Sequence, residues 1–556
     1  MVVVSLALRG FRGAQPMRGT MMSYPLTLFS ILERGGKYFP GVEIVSRRPD
    51  RSLHRTNFGE VYRRSRALAA GLVRAGLRRG DRVATLCWNH REHVEAYFGV
   101  PAAGGVVHTL NLRLSADELT LIARHAGDRF LIVDDVLLPV YEKFRASAPF
   151  ERVWVVPTSG EPLPAGWESS ETLVAGGDQG FRYPEVDEND AAAMCYTSGT
   201  TGQPKGVVYS HRALVLHSLV ISVADGFGIR QSDTSLVIVP MFHANCWGLP
   251  QAAAMIGTKM ILPGPFLDPV SLLDLIDSER ATYAAGIPTI WMGIAEQLEN
   301  NPQRWKIPAG FRATSGGAAT PEGLLRRCDR LGIELRSSWG MTEMTPAGTT
   351  AFVKSTLDDL PEAERVRVRS LAGIPFPLVE ARVVTPQGEA PWDGETTGEL
   401  QVRGPFVAAS YYNLPEAGDR WTEDGWFRTG DVAATDSEGY VRIADRTKDV
   451  IKSGGEWISS VALENALMGH AGVKEAAVIG VPHPKWLERP LAVVVKAAVC
   501  PDDETLRREL MDLLAGKFAK WQLPDAIVYV EAIPRTSVGK FQKTRLREQY
   551  KDWRWE

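Results

Sequence analysis

From Ser23 onward the apolar positions switch between two spacings. Glu60 to Gly76 carries apolar residues at helical intervals and ends in Gly76-Leu-Arg-Arg-Gly80, a composition that stops helices. Arg82-Val-Ala-Thr-Leu-Cys-Trp88 then predicts a short buried strand, and His93 to Ala103 a further helix. Phe130-Leu-Ile-Val-Asp-Asp135 and Arg152-Val-Trp-Val-Val156 predict two more strands. The middle of the chain repeats the theme, with strand-like Ser235 to Pro240, Lys259 to Leu262 and Ala281 to Ala285 separated by helical stretches. Strands alternating with helices predict parallel sheets and an α/β class.

The texture changes from Gly373. Glu380 to Val384, Gly398 to Gly404 and Gly439 to Ala444 are short, turn-bounded strand patterns, which predicts an antiparallel, barrel-like piece. After the charged stretch Asp445-Arg-Thr-Lys-Asp449 comes an α+β pattern. It has a helix near Val461 to Met468, strands at Val473 to Gly480 and Leu491 to Ala498, a helix over Asp503 to Phe518 and a strand at Ala526 to Val530. A boundary between Thr447 and Lys448 divides the chain into a large unit, 23–447, and a small one, 448–556. Residues 1–22 hold three arginines and no acid. They are read as a leader or disordered extension, or as the product of an upstream start.

Composition narrows the class. The 556 residues are 44% hydrophobic, and 63 Lys+Arg nearly cancel 66 Asp+Glu. That balance argues against a nucleic-acid binder held by bulk charge and against intrinsic disorder. Five cysteines show no C-x-x-C spacing, so neither a disulfide framework nor a structural zinc site is expected. The most apolar long run, Leu236 to Gly264, is broken by Pro240, His243, Asn245, Pro250 and Lys259. No membrane span is expected, since one needs about 20 mostly apolar residues. A cytoplasmic location follows as the expectation.

The densest chemical signal is Tyr196-Thr-Ser-Gly-Thr-Thr-Gly-Gln-Pro-Lys-Gly206, directly after the apolar run Ala191 to Cys195. Glycines let backbone amides approach an anion, hydroxyls donate to phosphate oxygens, and Lys205 adds a point charge. The string is a polyphosphate loop by composition. It is not G-x-x-x-x-G-K-[ST], because Lys205 lies three residues after Gly202 and is followed by Gly206.

This loop resembles that of the adenylate-forming superfamily of acyl-CoA synthetases, luciferases and peptide-synthetase adenylation domains. The likeness extends through Ser338-Trp-Gly-Met-Thr-Glu-Met344, Ser315-Gly-Gly-Ala-Ala319, Phe427-Arg-Thr-Gly-Asp431, Asp445 to Trp457 and Pro534-Arg-Thr-Ser-Val-Gly-Lys540. The resemblance implies two αβα subdomains rich in parallel strands, a distorted β-barrel and a mobile C-terminal lid. It implies ATP, Mg²⁺ and coenzyme A as cofactors. For ATP and AMP it implies Thr197, Ser198, Gly199, Thr200, Thr201, Gly202 and Lys205 around the phosphates. Gly316, Gly317 and Ala318 would meet adenine and the carboxylate. Trp339, Gly340 and Met341 would border the nucleotide, with Thr342 on phosphate. Asp431 would bind the ribose hydroxyls and Arg446 ribose or phosphate. Glu343 and Thr197 would hold the metal. Lys540 would be the catalytic lysine that reaches the carboxylate and α-phosphate, with Thr197, Glu343 and His243 in support.

Lys448 would be the hinge, and Lys452, Gly454, Gly455 and Trp457 would line the path of the thiol substrate. Pro240-Met-Phe-His243-Ala-Asn-Cys-Trp247 resembles the acid-pocket motif of fatty acyl-CoA synthetases, with His243 at the mouth and Trp247 as an aromatic gate. If this stretch is helical, the two share one face; Gly316 and Gly317 would complete the acyl site. Leu262-Pro-Gly-Pro265 and Ile451 to Ser460 resemble a bacterial branch of medium- and long-chain fatty acyl-CoA synthetases and 3-(methylthio)propionate-CoA ligases. The expected reaction is therefore acyl-AMP formation from a fatty acid, then transfer to coenzyme A. A short-chain or methylthiopropionate acid is the alternative; an aryl acid or an acyl-AMP ligase follows behind. A homodimer is plausible by resemblance, and no nucleic-acid partner or stable membrane insertion is expected.

Overall fold

Phe130 to Val133 are all buried, as are Val83 to Leu86. Strands buried on both faces need helices on both faces, and a parallel sheet supplies them. A computed structural model describes residues 17–197, 204–453, 456–536 and 539–555 and shows this arrangement. One sheet has seven strands in the order Glu168–Ser169, Arg152–Val156, Asp128–Asp134, Arg82–Leu86, Val106–Thr109, Ala191–Tyr196 and Gly206–Ser210. All its pairs are parallel except the last, an antiparallel hairpin. The helix Phe58–Arg74 packs against the helix Arg91–Ala102 beside it, and its start is fixed by Asn57, whose side chain accepts from Glu60 N at 2.9 Å.

The second sheet has nine strands. Its parallel centre runs Ile333–Gly340, Phe311–Ser315, Tyr283–Gly286, Thr234–Leu236, Lys259–Leu262 and Glu43–Arg47, with antiparallel strands at both edges. The strand expected over Ser235 to Pro240 ends at Leu236. Beyond it Asn89 takes over the backbone: its Nδ2 donates to Val237 O and Val239 O and its Oδ1 accepts from Met241 N, each at 2.8 Å.

The antiparallel piece has five strands in the order Gly388–Glu389, Glu380–Thr385, Gly398–Arg403, Phe427–Thr435 and Val441–Arg446, tied back by a bridge from Gly373 to Val441. A small α+β unit follows with its own core of Leu463, Leu467, Val478, Val494, Leu506 and Leu510. Its long hairpin Val473–His483/Leu487–Lys496 is joined by Ala526–Tyr529 in parallel. Among the described residues, no helix is long and apolar enough to cross a membrane.

Candidate active site

The site lies where three neighbouring parallel strands run out: Tyr283–Gly286, Phe311–Ser315 and Ile333–Gly340. Crevices outside the carboxyl ends of such strands are where open α/β sheets bind ligands. Gly316 and Gly317 follow the second strand. Gly317 has φ +83°, a conformation that favours glycine, and a Cβ on it would lie 3.3 Å from Lys540 Cε. A Cβ on Gly316 would lie 3.0 Å from Trp247 Cη2, so the indole rests on this backbone. Gly340 is more constrained still: a Cβ there would sit 2.0 Å from Pro346 O.

The third strand continues into the turn Thr342–Met344, which buries Glu343. Tyr411 O–H donates to Glu343 Oε1 at 2.5 Å, and Tyr209 O–H donates to Thr342 O at 2.7 Å. Lys205 Nζ stands 4.9 Å from the Tyr411 ring centre, which ties the hairpin that carries Thr197 and Lys205 to the same corner. Thr197 and Lys205 close that hairpin, Thr197 N to Lys205 O at 2.9 Å and Lys205 N to Thr197 Oγ1 at 3.3 Å. Ser198, Gly199, Thr200, Thr201 and Gly202 lie outside the described residues.

Asp431 and Arg446 are cross-strand partners on the antiparallel sheet, with Arg446 Nε 3.3 Å from Asp431 Oδ1. Trp339 Nε1 donates to Asp431 Oδ2 at 2.8 Å, joining that sheet to the nucleotide motif. Lys540 arrives from the small unit. Burial and the Arg446 charge push its pKa down to about 8, against the pull of Asp431 and Glu343. A cleft opens here between the two units, lined by Ile287, Met292, Ala318, Met468 and Lys540 among others. Lys474 Nζ and Glu296 Oε2, 3.8 Å apart, face each other across the same divide.

The acid-pocket stretch departs from expectation. Ala244, Asn245, Cys246 and Trp247 have φ of 41°, 54°, 56° and 53°, and Gly248 follows at 73°. The segment is a left-handed turn, so His243 and Trp247 do not share the face of an α-helix. Left-handed backbone costs roughly 1–2 kcal/mol per L-residue, and only Asn and Gly here adopt it readily. The surroundings hold it: Cys246 Sγ donates to Val239 O at 3.1 Å, Asn89 fixes the strand before it, and Tyr97 O–H donates to Met241 O. Trp247 is buried beneath the site. His243 is neutral, its pKa pulled down to about 3 by burial and by the charges of Lys540 and Arg113.

Lys540, Glu343, Thr197, Lys205, Trp339, Asp431, Arg446, Gly316, Gly317, His243 and Trp247 therefore come to one place. Ala318 lines the cleft with Lys540, and Gly340, Met341 and Thr342 carry the strand Ile333–Gly340 into the turn that holds Glu343. Lys448 is exposed, and Lys452 and Trp457 are exposed and pair across the hairpin Ile451–Ser453/Glu456–Ile458. Gly454 and Gly455 lie outside the described residues. The small unit thus presents Lys540 to the site and leaves Lys452 and Trp457 in solvent. Sequence reasoning missed Tyr411, Tyr209 and Asn89. Each acts through a contact 68 or more positions away, and no local spacing marks them.

Residues 33–412 match the model of AMP-binding enzymes, and 462–540 match that of the AMP-binding enzyme C-terminal domain. The chain belongs to the AMP-binding enzyme family. It is 50% identical to a long-chain-fatty-acid–CoA ligase of Thermus thermophilus over 96% of this chain and 97% of that one. It is 44% identical to a 3-methylmercaptopropionyl-CoA ligase of Ruegeria pomeroyi, over 96% and 99%. Among solved structures, an anthranilate CoA ligase in complex with anthranoyl-AMP superposes with a TM-score of 0.84 at 25% identity, over 95% and 98% of the two chains. The protein is an AMP-forming acid–CoA ligase, with ATP and coenzyme A as its co-substrates.

Proposed function

We propose that the acid is a medium- or long-chain fatty acid, activated as acyl-AMP and passed to coenzyme A with release of AMP and pyrophosphate. The observation that carries this is Trp247, a buried indole laid on Gly316 within the apolar core below Lys540. An aromatic lid over apolar packing suits an alkyl chain. The long-chain ligase of Thermus supports the reading. The 44% relative supports a second one, a short 3-(methylthio)propionate-like acid. Measuring acyl-CoA formation from propionate, 3-(methylthio)propionate, octanoate, palmitate and benzoate separates them. A peak at eight carbons or more is expected; a peak at propionate-sized acids overturns it.

In the first half-reaction a carboxylate oxygen attacks the α-phosphorus and pyrophosphate leaves. Two anions must meet, so the site has to supply positive charge. Lys540 stands at Gly317, where the carboxylate and α-phosphate converge, and bonds to the oxygens that gain charge. At ~4 Å a unit charge pair is worth about 1 kcal/mol in bulk water and about 4 kcal/mol at an effective dielectric near 20. Closure by the small unit therefore strengthens Lys540 and keeps water from acyl-AMP. Asp431 accepts from the ribose hydroxyls, Arg446 covers ribose or phosphate, and the loop from Thr197 to Lys205, with Thr342, cradles the phosphates. Glu343 suits Mg²⁺: it is a buried hard-oxygen donor with one oxygen held by Tyr411 beside the phosphate hairpin. With Thr197 it would hold the ion that comes with ATP, which would offset phosphate charge.

In the second half-reaction the thiol of coenzyme A attacks acyl-AMP. The chain turns about Lys448, taken as the boundary between 23–447 and 448–556. Lys540 withdraws, and Lys452, Gly454, Gly455 and Trp457 take its place along the thiol path. Lys448→Pro is expected to impair thioester formation far more than adenylation; equal loss in both half-reactions sinks the hinge assignment. The protein is read as cytoplasmic and as a candidate homodimer.

A further inference from the structure

The left-handed turn that carries Trp247 also carries polar groups the reaction above does not use. Asn245 is buried, and neither its Oδ1 nor its Nδ2 has a hydrogen-bond partner. Gln251, in the first turn of the helix Leu249–Ile256, is buried with its Oε1 unpartnered. His217, on the helix His211–Ser222, is buried as well. Its Nε2 accepts from Ala347 N at 3.2 Å, and Ala347 is the cross-strand partner of Gly340 in the nucleotide motif. Burial holds the imidazole neutral, so it carries one proton. Because Nε2 accepts, that proton sits on Nδ1. Nδ1 is unpartnered too, and it faces the turn: a Cβ on Gly248 would lie 2.6 Å from it.

A donor on His217, an acceptor on Gln251 and both on Asn245 thus belong to one locality, the turn 243–248 and the two helices packed on it. Buried polar groups nearly always find partners, and each one without a partner calls for an explanation, such as a group that arrives with a ligand. Asn245 stands between His243 and Trp247, the residues proposed for the acyl pocket, and Gln251 follows Trp247 by four positions. The turn is also strained, so a ligand that pairs its polar groups would offset a cost already present in the free protein.

We propose that the acyl pocket ends in a polar subsite formed by His217, Asn245 and Gln251, which binds a hydroxyl group carried on the acyl chain. Hydroxy fatty acids are then substrates of this ligase. A hydroxyl matches the set because it accepts from His217 Nδ1–H while donating to Gln251 Oε1 or Asn245 Oδ1. The inference rests on the acyl-pocket reading of the previous section.

The test compares kcat/KM for AMP release with coenzyme A on hexanoate, octanoate and their terminal and mid-chain hydroxylated congeners. Burying a hydroxyl in a wholly apolar tunnel costs about 1–3 kcal/mol, a loss of roughly 5- to 150-fold. The subsite predicts that at least one hydroxy acid matches or exceeds its parent. Gln251→Met and Asn245→Gly, the latter keeping the left-handed backbone available, should each lower the hydroxy-to-parent ratio of kcat/KM by about tenfold, a readout independent of any general loss of activity. Wild-type protein that turns over the parents but disfavours every hydroxy congener overturns the subsite, as does a ratio unchanged in both variants. The wild-type panel decides alone should a variant fail to fold. If the parent acids also fail while a short or aryl acid succeeds, the acyl-pocket reading falls, and the subsite with it.

Discussion

In the proposed mechanism Lys540 is the group on which acyl-AMP formation turns, and its protonation can be read from outside. It must carry charge to draw carboxylate and α-phosphate together. Burial and Arg446 lower its pKa from the usual lysine range to about 8 in the free protein. On that value ~90% of the protein is competent at pH 7 and ~10% at pH 9, so kcat/KM for adenylation should fall about tenfold across that interval. The limb belongs in kcat/KM because that quantity reports the free enzyme. In kcat it should shift upward, since bound phosphates favour the ammonium. Pyrophosphate exchange into ATP, run without coenzyme A, isolates the step. Lys540→Ala should cost about 10²–10³ at pH 7, the range for removing one stabiliser of transition-state charge. Lys540→Arg should retain part of the rate and lose the alkaline limb, because a guanidinium stays charged. A flat profile from pH 7 to 9.5, or the same limb in the arginine variant, would refute the assignment.

Three further outcomes are expected. Tyr411→Phe removes the O–H that holds Glu343, and KM for Mg·ATP in pyrophosphate exchange should rise by up to about tenfold with little change in melting temperature. Gly340→Ala would bring a Cβ to 2.0 Å from Pro346 O, a clash with backbone, so adenylation should be lost and the melting temperature should drop by several degrees. Cys87, His90 and Asp134 come within 4.8 Å of one another, but His90 bridges Glu92 at 3.1 Å and Asp134 at 2.8 Å, and these carboxylates lift its pKa to about 9 despite burial. Set against an unfolded value near 6.5, this pair of contacts contributes about 3 kcal/mol that is fully present below pH 6.5 and lost as pH rises through 9. Denaturant titrations of wild type and His90→Gln at pH 6 and pH 10 should therefore differ at pH 6 and converge at pH 10; a difference that persists unchanged contradicts the charged-histidine account.

Much of the candidate site was legible because the residue types suited to nucleotide chemistry are packed into short strings. The phosphate hairpin, the strand end at Gly316 and the motif around Glu343 each declare themselves within a dozen residues. The parallel sheets were legible for a similar reason, since strands such as Phe130 to Val133 are apolar throughout. What stayed hidden is what tertiary contact decides. Tyr411 reaches Glu343 over 68 positions and Asn89 reaches Val237 over 148. Asn89 also explains the strand read four residues too long, because its side chain satisfies carbonyls that a ladder would otherwise pair. The left-handed turn at Ala244 to Trp247 could not be anticipated: Ala, Cys and Trp carry no preference for that conformation, and only packing selects it. His217 reads as one more residue of an apolar helix, until the structure shows its Nδ1 without a partner.

The most direct measurement is product stoichiometry with coenzyme A, ATP and octanoate or palmitate. The account predicts AMP, pyrophosphate and acyl-CoA in equal amounts, and none of them from Lys540→Ala at a comparable rate. Pyrophosphate and acyl-AMP without acyl-CoA would contradict it, as would ADP and phosphate in place of AMP and pyrophosphate.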